Sequence, residues 1–403
     1  MTYHPRMKSD ATRWVDVERG LVSREAFVSD EVYQLEIERI FNRSWIYLGH
    51  DTEIPNIGDY VVRNLGNAPV IVVRDTPDSS KVLLNSCRHR GAKLCRADAG
   101  NTKNFVCPFH GWVYNLDGSL RGVARPKSFS GMDKKGFGLK PVELEIWNGF
   151  IFVRLRPGPQ PSVAELMAPF EAEAGAYKMA DHVPTDGIWT EETPVNWKSV
   201  RDVDNEGYHV ALAHPALQDL YGSTYADEPF VDGISRSDGK FTATKGRRWA
   251  VRNYKKLTKP QPHLPEKLHK TWLYYGIFPN AVIAATPETI LFYQEFPLTT
   301  GKSRLRSATY RNPNEDRQQR AARYLAARID RETVEEDIQL TIWSNESMVS
   351  DAFDGFYLSD LEYGVRTHHD HLRHLLPIYN LDKAPHEDQV ADVNTSMGGA
   401  PPK

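Results

Sequence analysis

Cysteine is scarce in this sequence, with Cys87, Cys95 and Cys107 the only three in 403 residues. Three thiols cannot all pair, and so few in so long a chain exclude a disulfide-stapled secreted scaffold. There is no run of about 18 apolar residues, so no spanning helix is expected. Neither sign of charge is in real excess: 50 Lys and Arg face 53 Asp and Glu, interleaved along the chain. That balance removes the basic footprint of a nucleic-acid binder and the charged patch of a membrane-surface protein. The opening "MTYHPRMKSD" lacks the apolar stretch of a secretory signal. Nor does a Gly-rich dinucleotide fingerprint open any helix, so this chain is not expected to bind a dinucleotide itself. These absences leave a soluble, cytoplasmic protein as the expectation. Its apolar fraction of 40% is enough for a sizeable core, and its length favours two domains.

Residues 24–43 carry Phe27, Val28, Val32, Leu35, Ile37 and Ile40 between charges, which predicts an amphipathic helix. Residues 1–45 are assigned as an N-terminal helical segment packing on the domain that follows the β-rich one. From residue 46 to 156 the texture is β-rich: "GDYVVRNLG", "APVIVVRD" and "KVLLNSC" are short runs between Gly, Asn, Pro and Asp. Asp117-Gly118 is a hairpin signal. "RPGPQP", residues 156–161, is the best boundary in the chain. Beyond it, residues 161–381 mix helices with longer strands, of which "TWLYYGIF", "ETILFYQEF" and "SRLRSATYR" read as antiparallel neighbours. Residues 315–350 read as a long helix. The whole is an α+β chain with an all-β domain first. The tail, 382–403, has no aromatics and is expected to be mobile.

The chemistry gathers in two places. Cys87-x-His89 and Cys107-x-x-His110 lie seventeen residues apart, each pair in a turn between β runs. Two thiolates and two imidazoles suit either a four-ligand zinc site or a Rieske [2Fe–2S] cluster, in which two His replace two Cys on one iron. Zinc fingers commonly bring Cys as one close pair and His as another. Here each loop brings one of each, so each iron can take one residue from each loop, and the cluster is favoured. Gly91 and Gly111 permit close backbone approach, and Trp112 and Phe109 offer shielding from water. Cys95 falls outside the pattern and reads as a small buried side chain.

The second place is "NWKSVRDVDNEGYHVALAHPAL". His209 and His214 follow the acids Asp202, Asp204 and Glu206. On a continuous helix, Asp202, Glu206 and His209 share a face, while His214 lies roughly 140° from His209. The two His meet at one ion only if the helix bends or ends between them, and Pro215 is consistent with an end there. Two His and one carboxylate leave positions open on iron, as in the facial triad of non-haem Fe(II) oxygenases. "VEEDIQL" in the last long helix supplies candidate carboxylates, Glu335, Glu336 and Asp337. Alone, a His pair at this spacing is weak evidence. Beside a cluster that delivers single electrons, it becomes the sink those electrons need.

With the N-terminal "LVSREAF…IERIFNRSWIYLGHDTEIPNIGDYV", the "CRHRGA" and "CPFHGWVYNLDG" pair and the "NWK…YHVALAH" stretch, the chain resembles the large (alpha, terminal oxygenase) subunit of the Rieske non-haem iron ring-hydroxylating family. The resemblance implies an all-β Rieske domain at 46–156 and a helix-grip (START-like) catalytic domain with an antiparallel sheet and a long C-terminal helix. It implies that Cys87 and Cys107 bind one iron of the cluster and His89 and His110 the other. It also implies that His209, His214 and Asp337 hold a mononuclear Fe(II), with O2 as co-substrate. In the family, an acid three residues before the first iron-binding His bridges to a Rieske His of a neighbouring subunit. Most members have Asp there and this chain has Glu206, as in a branch acting on quaternary amines. Asp202 stands where relatives often have Asn; it is assigned either to tuning the site or to replacing Glu206 as the bridge.

The expected partners are an NAD(P)H-dependent reductase, with or without a ferredoxin between them, and, as the resemblance implies, two further copies of the chain in a trimer, with or without a small beta subunit. The expected reaction is mono- or cis-dihydroxylation of an aromatic compound, with demethylation of a quaternary or methylated amine as the alternative. An electron carrier without oxygenase activity and a zinc-stabilised binding module are the competing classes. "HHDHLRH", His368 to His374, groups His368, His371 and His374 by helical spacing and reads as a solvated or interface face. Arg247 and Arg248 read as a surface pair on a strand. Tyr274, Tyr275, Phe278, Phe292 and Tyr293 read as mostly core, with one or two lining a pocket.

Overall fold

In the computed structural model the chain is described at residues 15, 16, 19–66, 68–350, 352, 353, 355–381, 385 and 387–397. It divides into two units, one spanning Asn42–Ala164 and the other the chain up to Phe41 and from Glu165 onwards.

The first unit is built of three antiparallel sheets. One has four strands, in the order Ser79–Leu84, Ala68–Thr76, Asp59–Leu65, Ala99–Asn101. Val70, Val72, Ile71 and Val73 are all buried, so this strand is covered on both faces and reads as a continuous apolar run rather than an alternation. A second sheet joins Phe105–Val106, Val113–Tyr114 and Leu120–Gly122. Asp117-Gly118 turns the last two strands, with Gly118 at φ +87°, a conformation that favours glycine. The third joins Ile46–His50, Phe150–Arg154 and Glu143–Trp147. Cys87, Cys95, Cys107, Trp112 and Tyr114 share one core cluster with Ile71, Val73, Leu83 and Phe105.

The second unit is built on an eight-stranded antiparallel sheet. Thr271–Ile277, Ala281–Ala285, Thr289–Thr299 and Lys302–Arg311 run as a meander at its centre. "TWLYYGIF" and "ETILFYQEF" are therefore not direct neighbours, because the short apolar strand Ala281–Ala285 stands between them. The long helix Arg317–Met348 starts on a capping box: Gln319 N donates to Asp316 Oδ1 and Asp316 N to Gln319 Oε1, both at 2.8 Å. Its Ala322, Leu325, Ala326 and Ile329, at i, i+3, i+4 and i+7, bury against Leu217, Tyr221, Val251 and Tyr254.

The "NWK" triplet has a structural job. Asn196 caps the helix Trp197–Asp204 and donates through Nδ2 to the carbonyls of Phe27 and Thr300, at 2.9 and 2.7 Å. Trp197 Nε1 and Lys198 Nζ donate to the two oxygens of Glu36, at 2.7 and 2.6 Å. All three of these side chains are buried. The charged pair therefore repays its desolvation only while intact, and losing one partner of such a pair costs about 3–5 kcal/mol. It fixes the N-terminal helical segment to the helix that leads into the histidines.

Several expectations are corrected. The helix expected over 24–43 is instead Glu25–Val28, Asp30–Glu36 and a wide turn Ile37–Phe41, broken where Ser29 leaves helical geometry to cap the second piece. Residues 1–14 lie outside the described chain. In the stretch expected to be mobile, Val390–Ser396 is helical and buries Val390 and Asn394; Asn394 Oδ1 accepts from Ile378 N at 3.1 Å. Arg247 and Arg248 are exposed but precede the helix Trp249–Leu257 and are not on a strand; both amides donate to Asp219. His368 and His369 are fully buried rather than solvated, and His374 alone of the tract is exposed. Tyr275, Phe278 and Phe292 are core, as expected.

Candidate metal centres

The two loops of the first unit repeat one backbone pattern. Gly91 N donates to Cys87 O at 2.9 Å, and Gly111 N to Cys107 O at 3.0 Å. Cys87 N donates to Ala92 O at 2.9 Å, and Cys107 N to Trp112 O at 2.8 Å. Each glycine sits four residues after its cysteine with positive φ, +74° and +67°. Each loop thus aims one buried thiol and one imidazole inward. The rings of His89 and His110 are 4.6 Å apart, and His89 stacks flat on Trp112 at 5.0 Å. Trp112 is buried, whereas Phe109, stacked on His110 at 4.0 Å, is 54% exposed. Phe109 therefore covers the rim of the site.

The donor set fits a cluster. The Nδ1 atoms of both His89 and His110 are shut off from water without a hydrogen-bond partner, an arrangement polar atoms adopt when something else bonds them. Tyr114 adds a residue the sequence did not flag: its hydroxyl lies 3.3 Å from Cys87 Sγ and accepts from Arg88 N at 3.0 Å. Cys95 is set apart by its environment, since burial pushes its thiol up to about 11, where it stays protonated and inert.

In the second unit the helix carrying Asp202 ends at Asp204, with Asn205 as its cap. The shared-face argument for Asp202, Glu206 and His209 therefore does not apply. His209 opens a single turn, Val210–Ala213, and His214 closes it at φ −116°, ψ 78° ahead of Pro215. The break turns both rings to one point: His209 Nε2 and His214 Nε2 are 3.0 Å apart. Asp337 Oδ1 lies 2.9 Å from His214 Nε2 and 3.5 Å from His209 Nε2. The other ring nitrogens are held from behind, His209 Nδ1 by Glu206 and His214 Nδ1 by Glu336 Oε2 at 2.9 Å. Carboxylates behind imidazoles are the usual outer support of metal-binding histidines. The site draws positive charge: burial opposes a charged His209, but Asp337 and Glu206 outweigh it and raise His209 to about 10. Two imidazoles and a carboxylate converging from one side fit a mononuclear Fe(II).

Of the three carboxylates considered for the third position, Asp337 joins the histidines, Glu336 supports His214, and Glu335 is exposed. Asp202 lies elsewhere: its Oδ2 is 3.0 Å from His369 Nε2 and its Oδ1 3.5 Å from His368 Nδ1. It neither touches the His209 site nor bonds Glu206.

A chamber opens beside these ligands, lined on the sheet side by Trp272, Tyr274 and Tyr293 and on the helix side by Val334 and Ile338. Two lining acids went unassigned in the sequence, Asp204 and Asp330. Burial raises them to about 6 and about 7. Asp330 stands two helical turns before Asp337, on the same face, a relation visible in the sequence once Asp337 is chosen.

Residues 179–378 match the family model for the ring hydroxylating alpha subunit (catalytic domain), and residues 44–137 match that for the Rieske [2Fe-2S] domain. The chain belongs to the Rieske non-haem iron ring-hydroxylating oxygenases. Within them it is of the alpha-subunit type, with both domains in one polypeptide. It is 34% identical over 230 residues to the N,N-dimethyl phenylurea N-demethylase subunit alpha of Sphingobium sp. (strain YBL2), covering 55% of this chain and 49% of that one. It is 44% identical over 138 residues to the benzene 1,2-dioxygenase subunit alpha of Pseudomonas putida, covering 34% and 31%. The chain thus spans about half or a third of the length of these relatives. Among solved structures, a quaternary ammonium Rieske monooxygenase superposes with TM-score 0.74 at 20% identity, covering 90% of this chain and 96% of that one. Naphthalene 1,2-dioxygenase from Rhodococcus sp. gives 0.71 at 20% identity, covering 92% and 98%. Both share the fold. None of the described helices is long and apolar enough to cross a membrane.

Proposed function

We propose that the protein is the terminal oxygenase of a multicomponent system, receiving electrons from a separate NAD(P)H-dependent reductase, with or without a ferredoxin, and hydroxylating a small organic molecule. The observation that carries this reading is the convergence of His209, His214 and Asp337 beside a lined chamber, in a chain that also has the paired Cys/His loops. Cys87, His89, Cys107 and His110 would hold the cluster, and His209, His214 and Asp337 the mononuclear iron. When bound, the cluster supplies single electrons and the iron supplies O2 activation.

The chain's own residues position and support. Glu206 fixes the tautomer and tilt of His209, and Glu336 those of His214. Glu206 is the residue assigned to carry the connection to a Rieske His of a neighbouring copy, in a trimer. Asp202 is set aside as the bridge, because it is committed to His368 and His369. The aromatic lining suits an aromatic compound, whereas Glu206 in place of Asp favours a methylated or quaternary amine. The test is the EPR spectrum of anaerobically purified protein before and after dithionite, with iron and sulfide analysis, followed by substrate-dependent oxygen uptake. A Rieske-type signal on reduction with more than two irons per chain is expected. A colourless zinc protein, once cluster loss has been excluded, would overturn the reading.

A further inference from the structure

We infer that Asp202, His368 and His369 form a further divalent-metal site, one that takes zinc in a structural role and is separate from both centres described above. The inference goes beyond the oxygenase reading and needs nothing from it.

Among the described residues, two groups of His and carboxylate bring one donor atom each within 4.8 Å of one another: His209, His214 and Asp337, and Asp202, His368 and His369. Composition and spacing match. In the first group Asp337 lies 2.9 and 3.5 Å from its two imidazoles. In the second, Asp202 lies 3.0 Å from His369 Nε2 and 3.5 Å from His368 Nδ1. Donors bonded to one tetrahedral ion at about 2.0–2.2 Å stand about 3.3–3.6 Å apart, so small shifts would close the second group around zinc.

His368 is the observation that asks for a ligand. It is 0% exposed, and neither of its ring nitrogens has a hydrogen-bond partner. Asp202 Oδ1, which faces its Nδ1, has none either. The 3.5 Å between those two atoms is too long for a good hydrogen bond and suits two ligands of one ion. A buried imidazole and a carboxylate oxygen in this state are costly unless something bonds them both. The rings of Phe230 and Phe278 beside His368 offer no polar partner.

Backbone contact brings the three residues together. Gly364, on the helix Tyr363–Leu375, stands one turn before His368, and a Cβ there would run into the carbonyl oxygen of Asn205. The two helices therefore meet at the end of the one that carries Asp202, and the successive residues His368 and His369 reach the two oxygens of one carboxylate. The cations on that helix are already taken. Lys198 pairs with Glu36 and Arg201 with Glu295, both at 2.6 Å, which leaves the charge of Asp202 for an ion.

The donors select the metal. Imidazole and carboxylate without thiolate suit a borderline divalent ion, and such sites bind zinc more tightly than Fe(II). None of the three residues lines the chamber beside His209, so the ion meets no substrate. Its work is to tie the helix Tyr363–Leu375 to the helix that leads into His209 and His214.

The test is the zinc and iron content of the full chain carrying cluster and iron, incubated anaerobically with excess zinc chloride and then freed of unbound metal by gel filtration. One zinc per chain is expected with iron unchanged, and its X-ray absorption should show nitrogen and oxygen ligands only. His214→Ala should still retain the zinc. Asp202→Asn and His369→Gln should each weaken zinc binding at least tenfold and the double variant should retain none, with the cluster spectrum verifying that each is assembled. No zinc retained by the parent, zinc gained only as iron is lost, sulfur among its ligands, or retention undiminished in the double variant would overturn the inference. The parent's zinc count and ligand set need no variant, so they decide the matter even where a substitution unfolds the chain. Failure of the oxygenase reading would show differently, as a missing Rieske signal or absent iron, neither of which depends on the zinc count.

Discussion

At the cluster loops, four candidate ligands come from two turns that repeat one hydrogen-bond pattern some twenty residues apart in sequence. At the mononuclear site, two come from a helix break and the third from a helix whose Glu336 is 122 residues beyond His214. The first site is local and self-contained, a matter of Cys, His and a left-handed Gly at fixed offsets. The second is tertiary, and depends on "NWK" anchoring one helix, Pro215 ending a turn and the long helix packing at the right phase. The loop site should therefore tolerate damage to the second unit, whereas the mononuclear site should fail one contact at a time.

The sharpest break of this comparison removes one ligand from each site. His214→Ala should lower substrate-dependent oxygen uptake by about 10³-fold or more, roughly 4 kcal/mol, while the reduced cluster keeps its EPR signal. Cys107→Ser should abolish that signal and leave iron at the mononuclear site, read by metal analysis after sulfide-labile iron is accounted for. If His214→Ala keeps full turnover, the assignment of the second site is wrong.

A smaller effect is expected one shell out. Gln in place of Glu206 keeps a hydrogen-bond acceptor for His209 Nδ1 but removes the charge. Glu206→Gln should slow reoxidation of the reduced cluster by about 10- to 100-fold, the usual range for such outer groups, with both metals retained. Asp202→Asn should leave that rate near the parent value, since Asp202 faces His368 and His369. The reverse pattern, measured by stopped-flow absorbance, would make Asp202 the bridge after all.

What the sequence showed and what it hid divide along the same line. The Cys/His loops were legible because spacing alone defines them, as were the long helix, the Asp117-Gly118 hairpin and the β-rich texture from 46 to 156. Hidden were features set by packing across long separations. Asp202 shared a face with Glu206 only if the helix ran on, and it stops at Asp204. "HHDHLRH" has the polarity of a surface tract, yet Phe230, Phe278 and Trp197 surround His368 at ring distances of 5.4, 6.1 and 6.2 Å. Asp330 shares a helix face with Asp337, which the spacing shows once Asp337 is chosen, but that this face lines a chamber is seen only in the fold.

That buried histidine gives a pH test on the second unit. Burial depresses His368 to about 4, against the partial support of Asp202, with His369 and Arg201 also opposing its charge. Unfolded, it titrates near 6.5. Between those values the unfolded chain takes up a proton that the folded chain refuses, so stability is full above about 6.5 and falls as pH drops towards 4. From pH 7 to pH 5 the loss attributable to this group is about 2 kcal/mol. His371, also held near 4 by burial, adds to the same slope. In His368→Gln the fall in urea-unfolding free energy between pH 7 and pH 5 should be smaller by that amount. An unchanged slope would mean that His368 is not held neutral in the fold.

The smallest effect belongs to the loops and tests their self-containment most directly. A Cβ built on Gly111 meets nothing within 4 Å, so Gly111→Ala meets no steric obstacle. What it meets is φ +67°, a conformation that costs a non-glycine residue about 1–2 kcal/mol. The cost falls on the turn that holds Cys107 and His110 in register, and on nothing in the second unit. The variant should assemble its cluster, lose it faster on warming, and keep its mononuclear iron at the parent level. Following the visible cluster bands and total iron through one thermal ramp checks both halves. Were the iron at His209 and His214 released in step with the cluster, the two sites would not be independent, and the contrast between a local and a tertiary metal centre would have to be abandoned.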